Sequence, residues 1–231
     1  MEDKDSEKLN GSMERAEFIL NNVGLSWGEI EGKTLLDAGS GEAALAQAVA
    51  LRSSTARISS VDVERNEDWI GFPWEDRQIP IQAEIENLPF KSSSFDYVIM
   101  HCSAEPSAIP ETIRVLRPGG ELRIWPIAGL ELEYWTISYY LDKVKGVPRQ
   151  KIVDLLEDYD RQIEEANGWI PDEYIDLRKE TLDNLTQEQK LEVIDLMAKK
   201  YSKMFDLQFS YKVKDSEARE PNALLIYKKE A

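Results

Sequence analysis

One segment constrains this chain more than any other: Leu35-Leu36-Asp37-Ala38-Gly39-Ser40-Gly41-Glu42-Ala43-Ala44. A short apolar run passes through two closely spaced glycines straight into the alanine-rich stretch EAALAQAVALR (42–52). TLLDAG (34–39) therefore reads as a buried strand, and the alanine-rich stretch as a helix. The pattern recurs further on. RISSVDV (57–63), PIQAEI (80–85), FDYVIM (95–100) and ELRIW (121–125) read as strands, and SAIPETIRVL (107–116) as a short helix before a Pro118-Gly119-Gly120 turn. Strands separated by helices imply parallel βαβ units, because parallel neighbours need a long crossover. The expected class is α/β: a doubly wound sheet covered on both faces.

The flanks break this rhythm. Residues 1–12 carry charge, Gly11 and Ser12 without an apolar period, and are expected to form a frayed tail. Met13, Ala16, Phe18, Ile19 and Leu20 predict an amphipathic helix ending near Asn21-Asn22 and Gly24. Over 131–203 the spacing predicts three helices, at about 131–145, 149–167 and 186–202, the last with a capping box of Thr186 and Gln189. No linker separates this stretch from the C-terminal residues, so 13–231 is read as one domain with a helical insertion or lid. FDLQFSYKV (205–213) and NALLIYKK (222–229) are expected to add a hairpin at the sheet edge.

Composition narrows the function. Forty-four acidic residues against 28 basic ones give a net charge of −16 over 231 residues. That balance disfavours a surface built to neutralise nucleic-acid phosphates or to sit on anionic lipid. A single cysteine, Cys102, excludes an intrachain disulfide framework and a zinc ribbon, and a single histidine, His101, excludes a multi-histidine metal site. No apolar run approaches the ~18 residues of a membrane span. The acidic start, MEDKDSEKLN, resembles neither a signal nor a transit peptide, so the expected compartment is the reducing cytoplasm.

The glycine turn carries the chemistry. Glycines let backbone approach a ligand, and the following helix N-terminus offers unpaired N–H groups to a polar one. The turn lies at the carboxyl end of a strand, where open α/β sheets bind ligands. Gly39-x-Gly41-x-x-Ala44, with Asp62 downstream, also satisfies the loose dinucleotide pattern. Asp37 separates the two readings: at the strand end it can meet an ammonium group, whereas it would repel a pyrophosphate.

Four motifs in order make the segment from about Arg15 to Trp125 resemble the class I S-adenosylmethionine-dependent methyltransferases, especially the small-molecule branch called type 11. They are LLDAGSGEA, VDV ending at Asp62 and Val63, AEIENLPFKSSSFDYVIM, and ETIRVLRPGGELRIW. The resemblance implies a Rossmann-like, mostly parallel seven-stranded sheet whose last strand is antiparallel, with S-adenosylmethionine as cofactor. It implies that Gly39 and Gly41 lie beneath the methionine part and that Asp37 holds its amino group. Asp62 would accept from the ribose hydroxyls, Val63 would pack on adenine, Glu84 would take the place of the usual adenine-side Asp, and Ile85 would flank the ring. His101 would lie near the sulfonium. Two positions depart from the family: Ala43 replaces its third glycine, and the region from Asp96 to Arg114 is shortened, which leaves the acceptor open.

Other residues carry two readings. His101 is suited to proton transfer near neutrality, but the favoured reading is a ring that packs or hydrogen-bonds. Glu105 is a weaker base candidate and Cys102 reads as a small buried hydrophobe. The run LEDYDRQIEE (156–165) reads as a solvated helix face. Trp69, Phe72 and Trp74 are expected to cover the sheet near its adenine edge. Trp125, Tyr134, Trp135, Tyr139 and Tyr140 suggest either a lid over a flat acceptor or, the favoured reading, the packed face of an ordinary helix. No catalytic residue is assigned, since methyl transfer chiefly requires alignment and exclusion of water. The expected function is methyl transfer to a small molecule. A cofactor-binding partner without catalysis is the main rival, an RNA or protein methyltransferase ranks below it, and a nicotinamide-dependent oxidoreductase ranks last.

Overall fold

Leu35 and Leu36 are adjacent and fully buried, yet each belongs to a different hydrophobic cluster. Successive strand residues point to opposite faces, so a strand buried at both must lie inside a sheet covered on both sides. The computed structural model describes residues 2–64, 69, 78–101, 106–125, 129–213 and 223–230. In chain order these form α1 (Glu2–Asn22), α2 (Trp27–Ile30), β1 (Thr34–Ala38), α3 (Ala44–Arg52), β2 (Arg57–Asp62), β3 (Gln78–Gln82) and β4 (Phe95–His101). They continue through α4 (Ile109–Val115), β5 (Leu116–Trp125), α5 (Gly129–Tyr139), α6 (Arg149–Glu165), α7 (Asp172–Asn184), α8 (Gln187–Phe205), β6 (Phe209–Val213) and β7 (Ala223–Lys228).

The strands make one seven-stranded sheet in the order β3-β2-β1-β4-β5-β7-β6. β3 to β5 pair in parallel, and β7 runs antiparallel to both its neighbours. Leu35, Ile58, Ile99 and Leu224 meet the apolar face of α1 and α3, while Leu36, Val98, Met100 and Leu225 meet α4 and α8. Burying each such side chain contributes about 1.5–3 kcal/mol. Ile137, Tyr140, Leu141, Ile152, Leu156, Tyr174 and Leu185 form a third cluster among α5, α6 and α7. The architecture is α/β and doubly wound, with a helical insertion before the last two strands, as the resemblance implies.

Several expectations need correction. Residues 2–12 are not a frayed tail; they are helical and continuous with α1. Their Glu and Lys residues favour helix without any apolar stripe, so periodicity does not reveal them. α7 has no counterpart among the three expected helices, although Pro171 followed by Asp172 and Glu173 is a helix-start signal. β3 ends at Gln82, so Glu84 and Ile85 lie beyond it, at the start of a 3₁₀ turn over Ile85–Asn87. The closing hairpin, by contrast, does add at the sheet edge as expected, with β7 pairing with β5 and β6 forming the outermost strand.

Other signals match the structure. The Thr186–Gln189 capping box opens α8, with Gln189 N donating to Thr186 Oγ1 at 3.2 Å and Thr186 N to Gln189 Oε1 at 2.8 Å. The Pro-Gly-Gly turn lies in an irregular part of β5, where Gly120 is packed so closely that a Cβ would lie 2.9 Å from Asp96 O and 3.1 Å from Phe95 O. The helix before it, α4, has only seven residues.

Candidate active site

The site is built where β1 and β2 end. Gly39 N and Ser40 N both donate to Val61 O, at 2.8 and 3.0 Å, which folds the chain sharply off β1. Gly39 (φ 76°) and Gly41 (φ 52°) lie in the left-handed region, open to glycine without steric cost. Ala43, the residue replacing the third glycine, also lies there at φ 56° and is fully buried as the N-cap of α3. An L-residue held so costs roughly 1–2 kcal/mol, so the turn is strained as well as tight.

Asp62 braces that turn. Its Oδ2 accepts from Gly41 N at 2.8 Å, and its Oδ1 from Glu64 N at 3.1 Å. Asp37 lies nearby in a different state. It is 2% exposed, and its buried Oδ2 has no hydrogen-bond partner. Burial, with a smaller push from the Asp62 charge, raises its carboxyl to about 7. A buried carboxyl without a partner is costly, so the position suits a ligand cation.

A cavity of about 940 Å³ opens over this floor. Of the predicted site residues, Asp37, Gly39, Gly41 and His101 line it, and Asp62 is tied to it through Gly41. Val63, Glu84 and Ile85 do not line it. They lie beside the end of β2, where Ala83 N donates to Asp62 O at 2.9 Å and Gln82 Nε2 to Val63 O at 3.1 Å. Val63 is 62% exposed and Glu84 is exposed, while Ile85 packs against the core. Trp69 covers the turn, its indole N–H donating to Gly41 O at 3.0 Å. Cys102, Glu105, Phe72 and Trp74 lie outside the described residues.

His101 closes one side. Its ring stacks on Trp125 at 4.9 Å between centroids, meets Phe18 edge-on at 5.7 Å, and accepts from Asn22 Nδ2 through Nε2 at 3.3 Å. Burial, with a smaller contribution from the Arg15 charge, lowers it to about 4. The ring is therefore neutral near pH 7 and held on three sides, which fits the packing reading over that of a free base.

The opposite wall is one that sequence reasoning missed. Ser12, Arg15 and Ile19 of α1 line the cavity, as does the buried Gln47 of α3. Ser12 Oγ donates to Gln47 Oε1 at 2.6 Å, and Gln47 Nε2 to Glu42 O at 3.1 Å, so α1 is fastened to the helix that follows the turn. A signal for this exists. Ala16, Ile19 and Val23 define a stripe at helical spacing, and Ser12 continues it one turn earlier.

The aromatic cluster after β5 forms no lid over this cavity. Trp135 and Tyr139 pack against the core beneath α8, and Tyr139 Oη donates to Glu192 at 2.5 Å. With Tyr134 they line a separate space of about 350 Å³. Among the described residues no cluster of His, Cys, Asp and Glu could hold a metal ion. No helix among them is long and apolar enough to cross a membrane.

The methyltransferase domain family matches residues 36–124, from mid-β1 to the end of β5. The phthiotriol/phenolphthiotriol dimycocerosates methyltransferase of Mycobacterium leprae (strain TN) is 32% identical over 102 residues, 40% of this chain and 37% of that protein. An uncharacterized chloroplastic methyltransferase of Arabidopsis thaliana is 44% identical over 54 residues, 21% of this chain and 15% of that protein. The matches thus span little more than a third of those relatives at most. A solved structure from Methanococcus maripaludis, described as a candidate S-adenosyl-L-methionine-dependent methyltransferase, is 21% identical with a TM-score of 0.49, covering 94% of this chain and 84% of that one. The stretch matched by that family's model, residues 36–124, holds the turn, Asp37, Asp62 and His101.

Proposed function

We propose that this chain transfers a methyl group from S-adenosylmethionine to a small-molecule acceptor. The observation that carries the reading is Asp37: a buried carboxyl lacking a partner, on the floor of a cavity, beside a glycine loop that Asp62 braces. An amino-acid ammonium is the cation that such a position would take, and the ribose hydroxyls would fall to Asp62. Val63, Glu84 and Ile85 follow along the same sheet edge, in reach of the base end of the nucleoside. When bound, the cofactor supplies an electrophilic methyl on a sulfonium; the protein has to hold it, align an acceptor and keep water out.

The residues present suit those tasks. α1, fastened through Ser12 to Gln47, walls the cavity off from one side. Neutral His101, fixed by Asn22 and Trp125, offers an orienting surface beside the reacting end and not a proton store. At about 940 Å³ the cavity stands at the large end of the ~300–1,000 Å³ usual for small-molecule sites, room for a nucleoside and a small acceptor together. The net charge of −16 weighs against a nucleic-acid acceptor. A soluble protein of the cytoplasm is the setting we assign it.

Calorimetry with S-adenosylhomocysteine tests the reading. The wild type binds it, Asp62→Ala weakens binding at least tenfold, and Gly39→Arg abolishes it, because φ 76° disfavours any side chain and the long one enters the cavity. Failure of the wild type to bind, or binding indifferent to both changes, overturns it. Release of S-adenosylhomocysteine in a small-molecule screen then identifies the acceptor class.

A further inference from the structure

The aromatic side chains after β5 have no part in the cofactor cavity. Tyr134, Trp135 and Tyr139 of α5 instead wall a second cavity of about 350 Å³. Ile152 and Val153 of α6 and Leu196 of α8 complete its apolar lining. No described residue lines both cavities. The larger draws on the α1 side of the sheet through Ile19, and this one on the α8 side through Trp135 and Tyr139. An apolar space left open forfeits dispersion contacts for the side chains around it, and a ligand restores them. A widened turn shapes its edge. Tyr140–Val144 is π-helical, with Lys145 N donating to Tyr140 O at 3.0 Å, and it carries the lining residues Asp142 and Lys143. Such single turns are rare and recur at functional sites.

Charge gives the ligand its sign. Arg149, the first residue of α6, lines the cavity and is exposed; its guanidinium makes no hydrogen bond or ion pair among the described residues. Lys143 lines it as well, and Asp142, the acid among the described lining residues, is paired with Lys143 at 3.2 Å. α6 starts with neither a side-chain cap nor an acid in its first turn, so nothing there opposes a negative group. The nearby acids are placed elsewhere. Glu157 and Asp160, which act on Tyr134, lie roughly two to three turns further along α6, and Glu192 accepts from Tyr139 Oη at 2.5 Å. We propose that this cavity is a second small-molecule site, one that takes a flat aromatic anion. Its rings lie among Tyr134, Trp135 and Tyr139, and its carboxylate or sulfonate meets the Arg149 guanidinium, whose planar fork suits such a group. At about 350 Å³ the space is near the small end of the ~300–1,000 Å³ usual for ligand pockets, which suits roughly two or three rings. The proposal stands apart from the cofactor reading.

The test is a fluorescence titration of the full chain with 1-anilinonaphthalene-8-sulfonate and with N-phenyl-1-naphthylamine, which has the same rings without the sulfonate. The wild type is expected to bind both, the sulfonate more tightly. Arg149→Glu weakens the sulfonate about tenfold and the neutral amine less than twofold. Val153→Trp, whose indole occupies the space, weakens both at least tenfold. Because Arg149 is exposed, circular dichroism should show Arg149→Glu folded, and that variant decides alone should Val153→Trp fail to fold. A wild type that binds neither probe overturns the proposal. So does an Arg149→Glu variant that leaves the sulfonate unchanged or weakens both probes equally. A folded Val153→Trp that binds as the wild type does also overturns it, since the probe then sits elsewhere.

Discussion

Asp37 and His101 are moved from their ordinary ranges by the same cause, burial, which disfavours the charged form of each. For Asp37 the folded value of about 7 lies above the unfolded one near 3.9. Its ionisation therefore erodes stability as pH rises from about 4 to 7 in the ligand-free protein. An ammonium bound beside it favours the ionised form and reverses that penalty. Affinity for S-adenosylhomocysteine should accordingly strengthen from pH 5.5 to 7.5 and then level, while Asp37→Asn binds more weakly and with a flatter profile; calorimetry at stepped pH measures both. For His101 the folded value of about 4 lies below the unfolded 6.5, so the stability held by the neutral ring is lost as pH falls through that interval. Asp37, Gly39 and Gly41 were legible in the sequence because a strand, a turn and a helix in ten residues is a local pattern. The state of His101 was not, since Asn22 reaches it from 79 positions away.

At the scale of elements, α1 is the part whose role the sequence concealed. The carbonyls just past its C-terminus, Val23 O and Gly24 O, accept from Nη1 of the buried Arg123 at 2.8 and 2.7 Å. The same guanidinium pairs with Glu121 at 2.7 Å and lies over Tyr97. A cation at a helix C-terminus, buried and with each of its three nitrogens hydrogen-bonded, joins β5 to the end of α1. Arg123→Met should lower unfolding stability by about 2–4 kcal/mol in a denaturant titration, by orphaning two carbonyls and one carboxylate. Hydrogen exchange should quicken in α1 before it does in β4. The parallel strands were readable because burial on both faces leaves short continuous apolar runs. The start of α1 was not, because charged helix formers leave no apolar period to detect, and α7 shows only a start signal at Pro171 and a short stripe of Tyr174 and Leu177 among charged residues.

Over the whole molecule, the acidic excess is a force as well as a clue to partners. A net charge of −16 means self-repulsion in the compact state, screened within about 10 Å at 0.1 M salt. The melting temperature should rise by roughly 2–5 °C between about 20 and 300 mM NaCl, as scanning calorimetry can show. A fall would mean that surface pairs such as Arg52–Glu17 outweigh the repulsion. The placing of β7 has a consequence for synthesis. Its residues Leu225–Lys228 pair with Glu121–Ile124, so the flank of β5 can find its neighbour only after about a hundred more residues have left the ribosome. Until then the nascent polypeptide carries an open row of amides and carbonyls on β5, and a chain interrupted in the four helices between would present that row to any stray strand.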